Sequence, residues 1–288
     1  MADKLTISQL KDDFIKNIKQ SGKATSTILA YGNDISQLAE FLNGKKINDP
    51  SLVSSALIDQ YKDHLGNKSY TNKSISRKLN STRTFFRYLV SKGLVSENPT
   101  NNVTHPKIKN SPPRILSKME YRALRDVCSS DPRLYAIVEL FLQTGIRISE
   151  LANLVMDDIK KDALSIMAYE SHPEREVPLN QASKKALETY LKIRPNSKNK
   201  HVFLTKNGKP FLIRNIRSAV ERQFKLADIK DSTVNDLRHT FIAHQLKDGT
   251  PLIVVSKIVG HKRLSTTEKY LKFIESTAEK DSMKLQEL

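Results

Sequence analysis

The chain has 288 residues, 38% of them hydrophobic, which is enough to build packed cores and too much for a disordered chain. Its 48 Lys and Arg against 31 Asp and Glu leave a formal charge of +17, an excess that points to a polyanionic partner, most often nucleic acid. One cysteine, Cys128, excludes an intrachain disulfide and a Cys-based zinc site, and no apolar run has the length of a signal core or a membrane span, so a cytoplasmic protein without membrane contact is expected.

Four helices are expected first, near Ser8–Lys19, Thr25–Leu42, Ser54–Leu65 and Asn72–Val90. The fourth has a dry side of Ile75, Leu79, Phe86 and Leu89. Opposite it lie Lys73, Arg77, Asn80, Thr84 and Arg87, a cationic and hydrogen-bonding face able to rest on phosphates or to be merely solvated. Ser96 to Ser117 holds four prolines and many Asn and Lys, and reads as an extended basic linker. After it, Ser117 and Glu120 form a capping box that starts a helix. Arg133–Thr144 is a second helix stopped by Gly145, and the run "IRISELANLVM" starts a third. "ALSIMAYESHPEREVPL" reads as a hairpin with its turn at Glu170–Glu174. Further helices are expected near Gln181–Ile193, Ile213–Ala227, Val234–Lys247 and Pro251–Val259, with a short strand at His201–Thr205. The predicted fold is mainly α with a small β-sheet, in a helical domain over residues 1–95, a linker over 96–116 and a mixed α/β domain over 117–288. Residues 1–111 carry 17 Lys and Arg against 9 Asp and Glu, and the remainder carries 31 against 22, so both parts fit the same polyanion.

No Gly-rich phosphate loop, metal-nuclease signature or Gly-x-Ser-x-Gly is present, so no metal or cofactor is expected. Cations can take a metal's place in phosphate chemistry. Attack on a DNA phosphodiester builds charge on its non-bridging oxygens, and two guanidiniums such as Arg147 and Arg238 can hold those oxygens through bidentate hydrogen bonds. An imidazole, His261, can hydrogen-bond the same oxygens or move a proton. A phenol, Tyr270, becomes a nucleophile on ionising, and its covalent phosphotyrosine would conserve the bond energy, so breakage needs no ATP. Each residue also has a plainer reading. Arg147 with Glu150 at i+3 fits a surface ion pair, His261 a turn histidine, Tyr270 half-buried packing, and His239 a structural neighbour of Arg238.

Taken in order, "TGIRISEL", "REVPL", "LRHTFIAHQL" and "VGHKRLSTTEKY" resemble the tyrosine recombinase (phage integrase) family, most closely its compact Xer-like members. "ISRKLNSTRTFFRYLVSKGLVSENPT" resembles that family's SAM-like core-binding domain. The resemblance implies a two-domain, C-shaped clamp on double-stranded DNA and a homo-tetramer on paired sites. It further implies strand exchange through a 3′-phosphotyrosyl link, in roles such as chromosome partition, plasmid resolution or integration. Carried over, Tyr270 is the nucleophile, Arg147 and Arg238 the phosphate clamp, His261 a second hydrogen-bonder and Glu150 the acidic buttress of Arg147, with His239 and Arg175 in support. Ser276–Leu288 is the segment that members of this kind exchange between subunits.

Two positions depart from the family pattern. The place of its hairpin lysine, a proton donor to the leaving 5′-oxygen, falls at Glu170, and the His or Lys three residues before Arg238 is Asn235. Arg175, His172, Lys206 and Lys209 are the candidate substitutes. A weakened, purely DNA-binding member of the family is therefore the alternative expectation.

Overall fold

The computed structural model describes residues 6–108, 112–168 and 172–271. The chain divides into two compact units, Met1–Asn110 and Ser111–Leu288.

The first unit is helical. α1 (Ile7–Gln20) is opened by a Thr6/Gln9 capping box, α2 (Thr25–Gly44) packs against it, and α3 (Ser55–Asn67) and α4 (Asn72–Ser91) start on the side-chain caps Ser54 and Thr71. Phe14, Ile35, Leu38, Leu42, Ile58, Tyr61, Phe85 and Phe86 are fully buried at its centre, and Phe14 meets Phe85 edge-on at 5.4 Å. The segment expected as a linker has no helix or strand, yet its first part is tied to this unit. Val95 and Val103 join the core, Ser55 Oγ donates to Pro99 O at 2.8 Å, and Asn72 Nδ2 donates to Lys107 O at 2.9 Å. Those side chains satisfy carbonyls that a proline-rich run cannot pair within itself.

The second unit is built round α6 (Pro132–Thr144), which is apolar on nearly every side and buried accordingly. Asp131 caps its first turn, accepting from the backbone N–H groups of Arg133 and Leu134. Against α6 pack α5 (Lys118–Cys128), α8 (Gln181–Ile193), α9 (Ile213–Leu226) and α10 (Val234–Lys247). Cys128 is a buried filler whose thiol is pushed by burial up to about 12. β1 (Ala163–Ile166) and β2 (Arg175–Pro178) form an antiparallel pair in which Ile166 faces Arg175, and α11 (Leu252–Val259) packs on β2.

Two expectations change. The helix opened by "IRISELANLVM" is only α7 (Ile148–Asn153), because Leu154 turns to extended backbone and a single 3-10 turn at Met156–Asp158 follows. His201–Thr205 is not a strand of a sheet. It holds two isolated bridges, Val155 with His201 and Leu204 with Pro210, while Tyr190 Oη bonds both Val202 O and Leu204 N–H at 3.1 Å. A buried phenol there takes the place of a neighbouring strand.

Candidate active site

Two glycine turns organise the site. α6 ends at Gly145, whose φ of +61° is left-handed, and a Cβ there would come within 2.3 Å of the Phe241 ring. α11 ends at Gly260, φ +65°, where a Cβ would press on the Arg175 guanidinium at 3.0 Å. The carbonyls freed at these helix ends are the ones the arginines use. Arg238 donates from Nη1 to Gly145 O and from Nη2 to Val259 O at 2.7 Å. Arg147 donates from Nη2 to Gly260 O at 2.6 Å, and Arg175 from Nε to Ile258 O at 2.7 Å.

Glu150 ties the cluster together. Its carboxylate accepts from Arg147 N–H and Nη1 and from Arg175 Nη1 and Nη2, all at 2.8 Å. Burial alone would raise this carboxyl, but the hydrogen bonds from Arg175 and from the Arg147 backbone outweigh it and hold the group at about 2. Two guanidiniums thus share one carboxylate in a poorly solvated place, and Arg238 stands close enough to feel both, a net positive cluster that favours a bound anion. Arg238 feels this most. Burial, with Arg147 and Arg175 nearby, pushes it down to about 9, which leaves it charged at neutral pH.

Around this cluster stand the phenol and the imidazoles. Tyr270 lies in a helical stretch described over 264–271 and packs with Phe241, Ile242, Val255 and Val259. Its hydroxyl is 3.1 Å from Nδ1 of His239. Burial raises the Tyr270 phenol, Arg238 opposes that rise and Asp236 adds to it. The His261 ring stacks 6.4 Å from Tyr270, and its Nδ1 meets Thr267 Oγ1 at 2.8 Å. Burial, then Arg238 and Arg147, push His261 down to about 4, so it is neutral at pH 7. In the tautomer where Thr267 donates to Nδ1, the ring proton sits on Nε2, where an anion could accept it.

Comparison with known proteins decides the class. The phage integrase family model matches residues 114–275, and the model of its N-terminal SAM-like domain matches residues 12–93. The chain is 34% identical to a tyrosine recombinase XerC of Thermodesulfovibrio yellowstonii over 90% of its own length and 89% of that protein's. The chain belongs to the phage integrase family. It is also 29% identical to a tyrosine recombinase XerD of Halalkalibacterium halodurans, covering 87% of this chain and 88% of that one. Among solved structures it is similar to the XerA recombinase (25% identity, TM-score 0.56, 98% of this chain and 100% of that one). A lambda integrase dimer bound to a COC′ core site shares the fold (17% identity, TM-score 0.78, 91% of this chain and 97% of that one).

Within this integrase-family chain, Arg147, Glu150, Arg175, Arg238, His239, His261 and Tyr270 all stand in the second unit around the two glycine turns. Asn235 is exposed one helical turn before Arg238. Glu170, the place of the family's hairpin lysine, and Ser276–Leu288 lie outside the described residues. Of the substitutes named for that lysine, Arg175 has three donors committed to Glu150 and Ile258. His172 keeps a buried Nδ1 with no hydrogen-bond partner among the described residues, and burial and then Arg147 lower its pKa.

In the first unit Lys73, Asn80 and Arg87 are exposed and Thr84 is half-buried, its hydroxyl donating to Asn80 O at 2.9 Å. Arg77 is not a free cation. It pairs with Asp34, a buried carboxylate that also accepts from Lys78 Nζ at 2.9 Å and Ser81 Oγ at 2.7 Å. Sequence reading missed Asp34 and Lys78, two charged residues on the buried sides of α2 and α4. It also missed the carbonyls of Gly145, Ile258, Val259 and Gly260, since a main-chain acceptor leaves no side-chain signature. Thr267 had a signal, standing one helical turn before Tyr270.

Proposed function

We propose that the chain is a site-specific DNA recombinase in which Tyr270 attacks a backbone phosphate and forms a 3′-phosphotyrosyl link. Arg147 and Arg238 hold the non-bridging oxygens, and neutral His261 donates from Nε2 to one of them. The observation that carries this is the positive guanidinium cluster, fixed by backbone carbonyls, with a phenol hydrogen-bonded to the residue next to Arg238. Donors fixed beforehand cost no reorganisation when charge develops on phosphate. Asn235 can add a hydrogen bond to the phosphate but carries no spare proton. His172 is the group assigned to the leaving 5′-oxygen. A bound phosphate adds negative charge beside its ring and favours the protonated form that a general acid needs.

Double-stranded DNA is the partner, engaged in the first unit by Lys73, Asn80 and Arg87 on α4, with Arg77 and Thr84 lending only what their internal bonds leave free. A homo-tetramer on paired sites is the working assembly, supported by the shared fold of a lambda integrase tetramer bound to a Holliday junction. The reading includes a cytoplasmic site of action; no helix among the described residues is long and apolar enough to cross a membrane.

The test is incubation with a nicked duplex carrying the cognate site. A denaturation-resistant protein–DNA adduct is expected, absent in Tyr270→Phe. Arg238→Ala should reduce its rate by about 10²–10³-fold or more while duplex affinity stays close to normal. Adduct formation by Tyr270→Phe, or near-normal cleavage by Arg238→Ala, overturns these assignments. The intact cluster disfavours the alternative of a DNA-binding member without cleavage.

A further inference from the structure

The family reaction requires the phenol to lose a proton, and burial pushes Tyr270 away from ionisation. At pH 7 an ordinary phenol is ionised to about 0.1%, and this one less. Yet its hydroxyl has a partner. His239 Nδ1 lies 3.1 Å away, its ring centroid 5.8 Å from the Tyr270 ring, and the phenol is only 8% exposed. Both side chains stand on rigid supports. His239 is in the middle of α10 beside Arg238, and Tyr270 is packed on Phe241 and Val255.

We propose that His239 is the general base of strand cleavage and the general acid of rejoining, a role that rests on Tyr270 being the nucleophile. In cleavage the Tyr270 proton passes to Nδ1 as the Oη–P bond forms and the P–O5′ bond breaks. The leaving 5′-oxygen takes its proton from the opposite side, from His172 in the assignment above. In rejoining the 5′-hydroxyl gives its proton back to the leaving-side donor as the O5′–P bond forms, the Oη–P bond breaks, and the imidazolium of His239 returns its proton to the departing phenolate. Nothing is oxidised or reduced.

The electrostatics suit the task. Burial lowers the His239 pKa from the usual 6.5, Asp236 opposes this and Arg238 adds to it, so the ring is neutral at pH 7. With the ring proton on Nε2, Nδ1 accepts the phenol's hydrogen bond. The other groups facing the pair are Arg238 and Asp236 on α10 and His261 after α11, with Arg147 and Arg175 behind them. His261 is held at about 4, while burial, Asp236 and Arg238 set His239 below its usual 6.5, so within this set His239 is the imidazole assigned to the acid limb. The imidazolium formed during attack lies beside the phosphate's growing charge.

The decisive variant is His239→Asn, which keeps an acceptor near the Nδ1 position and removes the base. Single-turnover adduct formation should fall about 10²–10⁴-fold, and the acid limb of its pH profile should disappear. The defect should persist on a substrate with a bridging 5′-sulfur, whose leaving group needs no proton, and rejoining should slow as well. A purely positioning role predicts a near-normal rate with the acid limb intact, and either of these overturns the proposal. Rescue by the 5′-sulfur substrate overturns it too, by moving His239 to the leaving side. Loss of adduct in Tyr270→Phe alongside a normal His239→Asn rejects the base while sparing the nucleophile. Adduct in Tyr270→Phe rejects the nucleophile itself. Should His239→Asn not fold, the imidazole of the wild-type chain can be titrated by NMR. Its pKa should rise by about one unit in Tyr270→Phe, because the lost hydrogen bond favoured the neutral ring. No change would mean that the phenol does not donate to Nδ1.

Discussion

Glu150 is the side chain on which the guanidinium cluster is assembled, since it bonds both Arg147 and Arg175. Its carboxylate is 2% exposed, so removing its charge leaves two guanidiniums uncompensated. Glu150→Gln should destabilise the second unit by about 3–5 kcal/mol at pH 7, measured by urea unfolding. The pH dependence has a definite sign. The folded pKa of about 2 lies below the ordinary 4.5, so the stabilisation is complete above pH 4.5 and is lost as pH falls through 2. That difference corresponds to roughly 3 kcal/mol between pH 5 and 2, and the variant's unfolding free energy should lose this slope. An unchanged slope would place the cluster's acid sensitivity elsewhere. The Arg147–Glu150 pair was legible as an i,i+3 spacing. Its bidentate bond to Arg175 joins residues 25 apart in the chain, and no local pattern encodes it.

At the level of elements, the glycine turns matter more than the helices they end. Gly145→Ala puts an alanine at φ +61°, costing about 1–2 kcal/mol, and drives its Cβ into Phe241. The relief moves the carbonyl that holds Arg238. Thermal stability should fall by that amount, and cleavage should drop far more, on the order of 10²-fold for a displacement near 1 Å. Loss of stability without loss of cleavage would mean that the carbonyl is dispensable. Most helices, from the capped α5 to α8 and α10, were readable from caps and apolar spacing, because those signals act within a few residues. The early end of α7 and the bridges at His201 and Leu204 were not, since long-range partners there overrode local propensity.

Across the whole molecule, the charge of +17 makes DNA binding an ion-exchange process. Affinity should fall steeply as salt rises. Replacing exposed Lys73 and Arg87 by Ala should lower the magnitude of the log K against log salt slope by about 1 for each phosphate that is no longer neutralised. Cleavage at saturating DNA should be unaffected, because both residues belong to the first unit. An unchanged slope would remove α4 from the interface. Arg77 should contribute less, as part of its guanidinium is tied up in the ion pair that it shares with Lys78 on Asp34.

Composition, helical periodicity and four ordered motifs sufficed to establish the class and the helical plan, and they named the candidate side chains. Charge, caps and residue types act locally and are written in the chain. Tertiary structure alone decided which backbone carbonyls grip the guanidiniums, that Arg175 is committed to Glu150, and that His239 meets the phenol. Those hydrogen bonds join residues from 25 to 113 positions apart, and only folding brings such distant atoms within bonding distance.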